Sequence, residues 1–140
     1  MKLAFPIRFY PDGDAVSAQG MAPYDGIITY GMTAEEARFN AVEALTGYLQ
    51  VLLEHGDPIP VPQVVEAPDV EMIVPDPTVT VPLQLRWARE EANLTQGELA
   101  TRLGVSYQSV QRLERSGANP SIKTLVKVAR ALGRNLTVAI

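Results

Sequence analysis

Tyr107, Gln108, Ser109, Gln111 and Arg112 gather hydrogen-bonding side chains into six positions of the chain. Glutamine matches the donor–acceptor pair that adenine shows in the major groove, and arginine can grip guanine through two parallel bonds. Gln96 lies just upstream, where a side-chain amide and helix N-termini can hold phosphate oxygens. The chemistry these residues suggest is recognition of a nucleic acid rather than bond breaking. A solvated polar helix face with no ligand is the alternative, but the turn, the core spacing and the exposed chemistry coincide at one place.

Those side chains need a rigid helix pair beneath them. Thr95 and Glu98 have the spacing of a capping box and open a helix running to Leu103. Gly104-Val105-Ser106 is a tight turn, where glycine permits a bend that a side chain would strain. Ser106 caps the next helix, which extends to about Arg115. Leu99, Ala100, Leu103, Val105, Val110 and Leu113 are the apolar residues that would lock the pair. A helix at Leu83–Ala92 precedes them, and a fourth follows Pro120-Ser121 to about Gly133. Leu136, Val138 and Ile140 alternate with Asn135, Thr137 and Ala139, the pattern of a strand. A terminal strand must pair with something, and a second copy of the chain is the simplest partner, which makes these three residues candidates for dimerisation.

The preceding half reads differently. Leu3, Phe5, Ile7 and Phe9 alternate with other residues as a strand with one buried face, and Pro6 suggests an edge or a bulge. Pro11-Asp12-Gly13-Asp14 is turn chemistry, Ala15–Gln19 a returning strand, and Ile27–Tyr30 a third. Thr33 and Glu36 open a helix whose Ala37, Ala41, Leu45, Tyr48, Leu49 and Leu52 form one apolar stripe. Gly56 and Pro58 end it. Prolines recur from 58 to 82, with a short strand at Glu71–Val74. The expected organisation is a domain over 1–74, a proline-rich linker over 75–81 and a second domain over 82–140.

Charge follows the same division. Residues 1–75 carry three basic and eleven acidic side chains, a balance of −8, and residues 76–140 nine and five, a balance of +4. The basic half suits nucleic acid and the acidic half a cationic partner. The chain of 140 residues has no cysteine and one histidine, His55. That excludes disulfides, a thiol nucleophile and cysteine-ligated metal. His55 falls in a last helical turn, where it favours the helix dipole. Asp12, Asp14 and Asp25 fall in turns, where aspartate serves local hydrogen bonds. No catalytic residue, metal ligand or cofactor is expected. No apolar run approaches the span of a bilayer and the opening residues lack signal-peptide chemistry, so the expected location is the cytoplasm.

Residues 83–133 resemble the lambda-repressor-type (XRE) helix-turn-helix family, through Gln96-x-Glu98-Leu99-Ala100, Leu103-Gly104-Val105-Ser106, Leu113-Glu114, Asn119-Pro120-Ser121 and Leu125. The resemblance implies base contacts from Tyr107, Gln108 and Arg112, with Gln111. It implies phosphate contacts from Gln96, Ser109 and the loop from Asn119 to Lys123, with Ser106 at the same helix end. It also implies a buried structural ion pair between Arg89 and Glu114. The order of the halves, with Tyr10-Pro-Asp-Gly-Asp, Thr33-Ala-Glu-Glu-Ala37 and Gly56-Asp57-x-Ile59-Pro60, resembles the HicB antitoxins of bacteria and archaea. The segment from Gly20 to Gly26 departs from that family's usual turn.

The resemblance implies an α+β fold, a partial RNase H-like βββα(β) domain followed by an all-α helix-turn-helix domain with a short terminal strand. It implies an antitoxin that binds a HicA-like mRNA-cleaving toxin and represses its own operon at a palindromic operator, as a homodimer or tetramer. A regulator whose first domain oligomerises or senses a ligand is the alternative. A residual nuclease acting through Asp12 or Asp14 is a third reading, ranked last.

Overall fold

The turn at Pro11–Asp14 brings β1 (Phe5–Asp12) antiparallel to β2 (Ala15–Gly20), with Asp12 opposite Ala15. This pairing belongs to a computed structural model that describes residues 3–140. β2 pairs antiparallel with β3 (Ile28–Gly31), and β1 with β4 (Val70–Ile73), giving the sheet order β3-β2-β1-β4. α1 (Ala34–His55) crosses one face and buries Ala37, Ala41, Leu45, Leu49 and Leu53. Phe5, Ile7 and Ala18 complete that core. Thr33 caps α1 by accepting the Glu36 amide, and Gly56 ends it in a left-handed conformation. Gly31 lets β3 run into α1, since a Cβ there would lie 2.4 Å from the Ala37 nitrogen.

β1 is an interior strand, not the edge that Pro6 suggested. The register explains how proline is tolerated. The ladder with β2 begins at Ile7, so Pro6 faces only β4, opposite Met72. Phe9 donates to Asp69 on the β4 side, so the alternate residue Pro6 turns its missing donor toward the side where β2 has ended. The departing segment after Gly20 forms its own turn, with the Tyr24 amide on the Met21 carbonyl and the Tyr24 hydroxyl on the Pro60 carbonyl.

The chain divides into two compact units between Pro77 and Thr78. The second contains α2 (Pro77–Glu91), α3 (Gln96–Leu103), α4 (Tyr107–Leu113) and α5 (Ile122–Ala131). The architecture is therefore α+β, a βββαβ unit followed by helices. One expectation is corrected. Residues 77–81 are the first turn of α2 rather than linker. Pro77 opens that helix, where its missing donor is no loss, and Pro82 sits inside it. Pro82 cannot donate to the carbonyl four residues back, and that Thr78 carbonyl accepts the Gly117 amide at 3.2 Å instead. Residues 134–140 form no strand within the single chain; the pairing expected of them is between two copies. Leu136 is half-buried, while Val138 and Ile140 are exposed.

Candidate nucleic-acid interface

The helix pair that must present the recognition residues is fixed first by its caps. At α3 the capping box is complete: the Glu98 amide donates to the Thr95 hydroxyl at 3.1 Å, and the Thr95 amide donates to the Glu98 carboxylate at 3.1 Å. Those bonds hold the Glu98 carboxyl below its ordinary pKa, the backbone amide of Thr95 contributing most. Gly104 ends α3 at φ 67° and donates to the Ala100 and Thr101 carbonyls, a backbone state that costs any other residue strain. Leu99, Ala100, Val110 and Val128 form the core where α3, α4 and α5 meet, with Leu103 and Leu113 packed against it. Val105 departs from its expected core place and lies exposed in the turn.

Under this pair lies a charged lock. The Arg89 guanidinium clamps Glu114 with Nε at 2.6 Å and Nη2 at 2.8 Å, and its Nη1 donates to the Leu94 carbonyl at 2.8 Å. The Glu114 side chain is 4% exposed. The hydrogen bond to Glu114 raises the already high pKa of Arg89, against the opposing effect of desolvation. The bidentate geometry and the third bond meet the conditions under which a buried ion pair is tolerated.

The structure places Tyr107, Gln108 and Arg112 on the exposed surface of α4, with Ser109 and Gln111 half-buried. Asn119 and Lys123 are exposed beyond the end of α4. Three of the nine candidates, Gln96, Ser106 and Ser109, are already engaged. Ser106 is the N-cap of α4, its hydroxyl accepting the Ser109 amide and meeting the Ser109 hydroxyl at 2.8 Å. Gln96 donates from Nε2 to Glu114 at 3.1 Å, which joins it to the Arg89 lock. An amide nitrogen has two protons, so Gln96 keeps one donor for another acceptor.

A groove of about 720 Å³ runs along the end of α4, the following loop and the start of α5. Arg112 and Asn119 line it, together with Arg115 and Lys127, which the sequence reasoning missed. Arg115 follows the end of α4 and Lys127 lies on α5, so only the fold brings these two cations to one groove. Ser121 caps α5 beside it, accepting the Thr124 amide. Three cations and a helix N-terminus in one groove form an electrostatic setting for anionic oxygens. Among the described residues, no group of three or more acidic or histidine side chains is placed to hold a metal ion. No helix among them is long and apolar enough to cross a membrane.

Residues 85–138 match the HTH_3 helix-turn-helix family. Over 113 residues the chain is 37% identical to Antitoxin HicB 1 of Photorhabdus laumondii, covering 81% of this chain and 71% of that one. The chain belongs to the HicB antitoxin family. As HicB family members do in name, it stands with antitoxins, and it also resembles regulators. Over 50 residues it is 46% identical to an uncharacterized HTH-type transcriptional regulator of Methanothermobacter thermautotrophicus, covering 36% of this chain and 72% of the relative. A crystal structure of the Burkholderia Pseudomallei antitoxin HicB aligns with 74% of this chain and 94% of its own, at 16% identity and a TM-score of 0.46.

Proposed function

We propose that this HicB family chain is the antitoxin of a type II toxin–antitoxin pair. Its first unit binds and silences a HicA-like, mRNA-cleaving toxin, and its second represses the operon that encodes both. The observation that carries this reading is the similarity to Antitoxin HicB 1, whose 113 aligned residues exceed either unit and so take in parts of both. α4 enters the major groove, where Gln108 and Arg112 read base edges with Tyr107 and Gln111. Gln96, Ser106, Ser109, Asn119 and Lys123 hold the backbone of the duplex. Leu136, Val138 and Ile140 pair with the same segment of a second chain, which sets two recognition helices on a palindrome with half-sites about one or two helical turns apart. The first unit can then join dimers into a tetramer. Both activities place the chain in the cytoplasm of a bacterium or archaeon, and neither needs a cofactor or an active site.

The test is co-expression with any small basic reading frame found next to this one, followed by light scattering of the purified complex. A stable complex that releases RNA-cleaving activity on denaturation supports the antitoxin reading. Absence of a complex, with operator binding intact, turns the first unit into a sensing or assembly module and the chain into a stand-alone regulator. Gln108→Ala with Arg112→Ala removes operator preference and leaves toxin binding intact. Unchanged operator affinity in that variant would show that another helix reads the DNA.

A further inference from the structure

α1 covers only one face of the four-stranded sheet, and the register identifies the residues on the other. Glu71 turns toward α1, where Arg38 grips it through Nε at 2.8 Å, so its neighbours Val70 and Met72 point away from the helix. Following the pairs across the sheet, Tyr30, Ser17 and Tyr10 form one row on that open face. Ile28, Gln19, Arg8 and Val70 form the next. Tyr30 is 61% exposed and Ile28 66%, while Ser17 between the two tyrosines is 7% exposed. The Ser17 hydroxyl donates to Asp12 at 3.1 Å, which sets that carboxylate beside the tyrosine row. Exposed apolar area of this kind, arranged on rigid strands, marks a contact surface.

Charge identifies the occupant. The arginines among the described residues of this unit are both engaged, Arg8 by Asp69 at 2.9 Å and Arg38 by Glu71. Asp12 and Asp14 flank the row, and among the described residues no basic side chain forms an ion pair with either. A second copy of the chain would bring the same carboxylates to the same interface, and like charges oppose that. A basic protein surface meets both features: its arginines or lysines find tyrosine faces and carboxylates together. The exposed apolar residues of α1 make a poorer candidate. Phe39 and Val51 are twelve residues apart, about 18 Å along the helix.

We infer that the open sheet face, centred on Tyr10, Tyr30, Ile28 and Asp12, is the surface on which the basic toxin docks. This rests on the antitoxin reading above. The test titrates the full chain calorimetrically with a small basic protein found encoded beside it, purified and refolded. Ile28→Ala combined with Tyr30→Ala raises Kd by about 30-fold or more, the effect of losing central contacts. Asp14→Lys also weakens binding and reduces its dependence on salt. Phe39→Ala combined with Glu43→Lys on α1 changes Kd by less than about threefold. Unaltered melting and operator binding show that the variants are folded. If the unchanged chain binds and the sheet variants bind equally well, the toxin docks elsewhere and only this inference falls. If the sheet variants change the oligomeric state of the free chain, the face joins copies of itself and the inference is overturned. If the unchanged chain does not bind the toxin, the antitoxin reading falls and this one with it.

Discussion

Glu114→Ala removes one end of the lock beneath the helix-turn-helix and leaves Arg89 charged and nearly enclosed. Two carboxylate bonds of 2.6 and 2.8 Å are lost, and the Gln96 amide loses its partner as well. The guanidinium, which cannot shed its proton, keeps one bond to the Leu94 carbonyl and only the half-exposed Glu90 carboxylate at 4.0 Å, beyond hydrogen-bond reach. Stranding a buried charge in this way costs about 3–5 kcal/mol. Domains are stable by only about 5–15 kcal/mol, so much of the second unit's stability goes. For a unit of this size the loss corresponds to a fall in Tm of about 12–40 °C. Trp87 supplies the assay. It is the only tryptophan in the chain and is buried on α2, two residues from Arg89. Urea unfolding of the full chain followed by its fluorescence therefore reports the second unit alone. Arg89→Met combined with Glu114→Leu is less destabilised than Glu114→Ala, because no charge is left unpaired. A cost below about 1 kcal/mol for Glu114→Ala, the range of a solvated surface pair, would refute the reasoning.

Other perturbations have defined outcomes. Thr95→Ala removes the hydroxyl half of the capping box and costs about 1 kcal/mol in the same unfolding assay, while the Glu98 pKa stays below its ordinary range in an NMR titration because the backbone amide of residue 95, the larger cause, still donates to it. Gly104→Ala places a Cβ at φ 67° and costs about 1–2 kcal/mol, with weaker operator binding in a gel-shift assay as the angle between α3 and α4 adjusts. Arg38→Gln releases Glu71, whose pKa is lowered chiefly by its hydrogen bond to Arg38. A depressed carboxyl stabilises the native state above its ordinary pKa of 4.5, and the gain is lost as pH falls through the lower native value. The unchanged chain is thus modestly more stable than Arg38→Gln at neutral pH and equal to it in strong acid, as read from far-ultraviolet circular dichroism of urea unfolding.

The helix-turn-helix was legible because its instructions are local. Thr95 and Glu98, Gly104, Ser106 and Ser121 each act within four residues, and each does in the structure what its type and spacing indicate. The α1 stripe and the hairpin at Asp12 were legible for the same reason. What the sequence concealed depends on partners far along the chain. Pro6 reads as an edge residue until the register shows that β2 ends before reaching it. Residues 77–81 read as linker because prolines at 77 and 82 suggest an extended chain, and only the Gly117 amide explains how a helix continues past Pro82. The groove cations Arg115 and Lys127 come from separate elements. The open sheet face has no motif, since Tyr10, Ser17 and Tyr30 become neighbours only by pairing.

The missing proton at Pro82 also bears on how this chain tolerates change. By helix propensity alone, Pro82→Ala is an improvement of about 3 kcal/mol. Yet alanine would supply the Thr78 carbonyl with a donor from its own helix, in competition with Gly117. Gly117 opens the loop that leads through Asn119 to the cap of α5. A substitution that perfects the helix would therefore slacken the loop proposed to grip the DNA backbone. Selection for thermostability and selection for operator affinity would pull this one position in opposite directions.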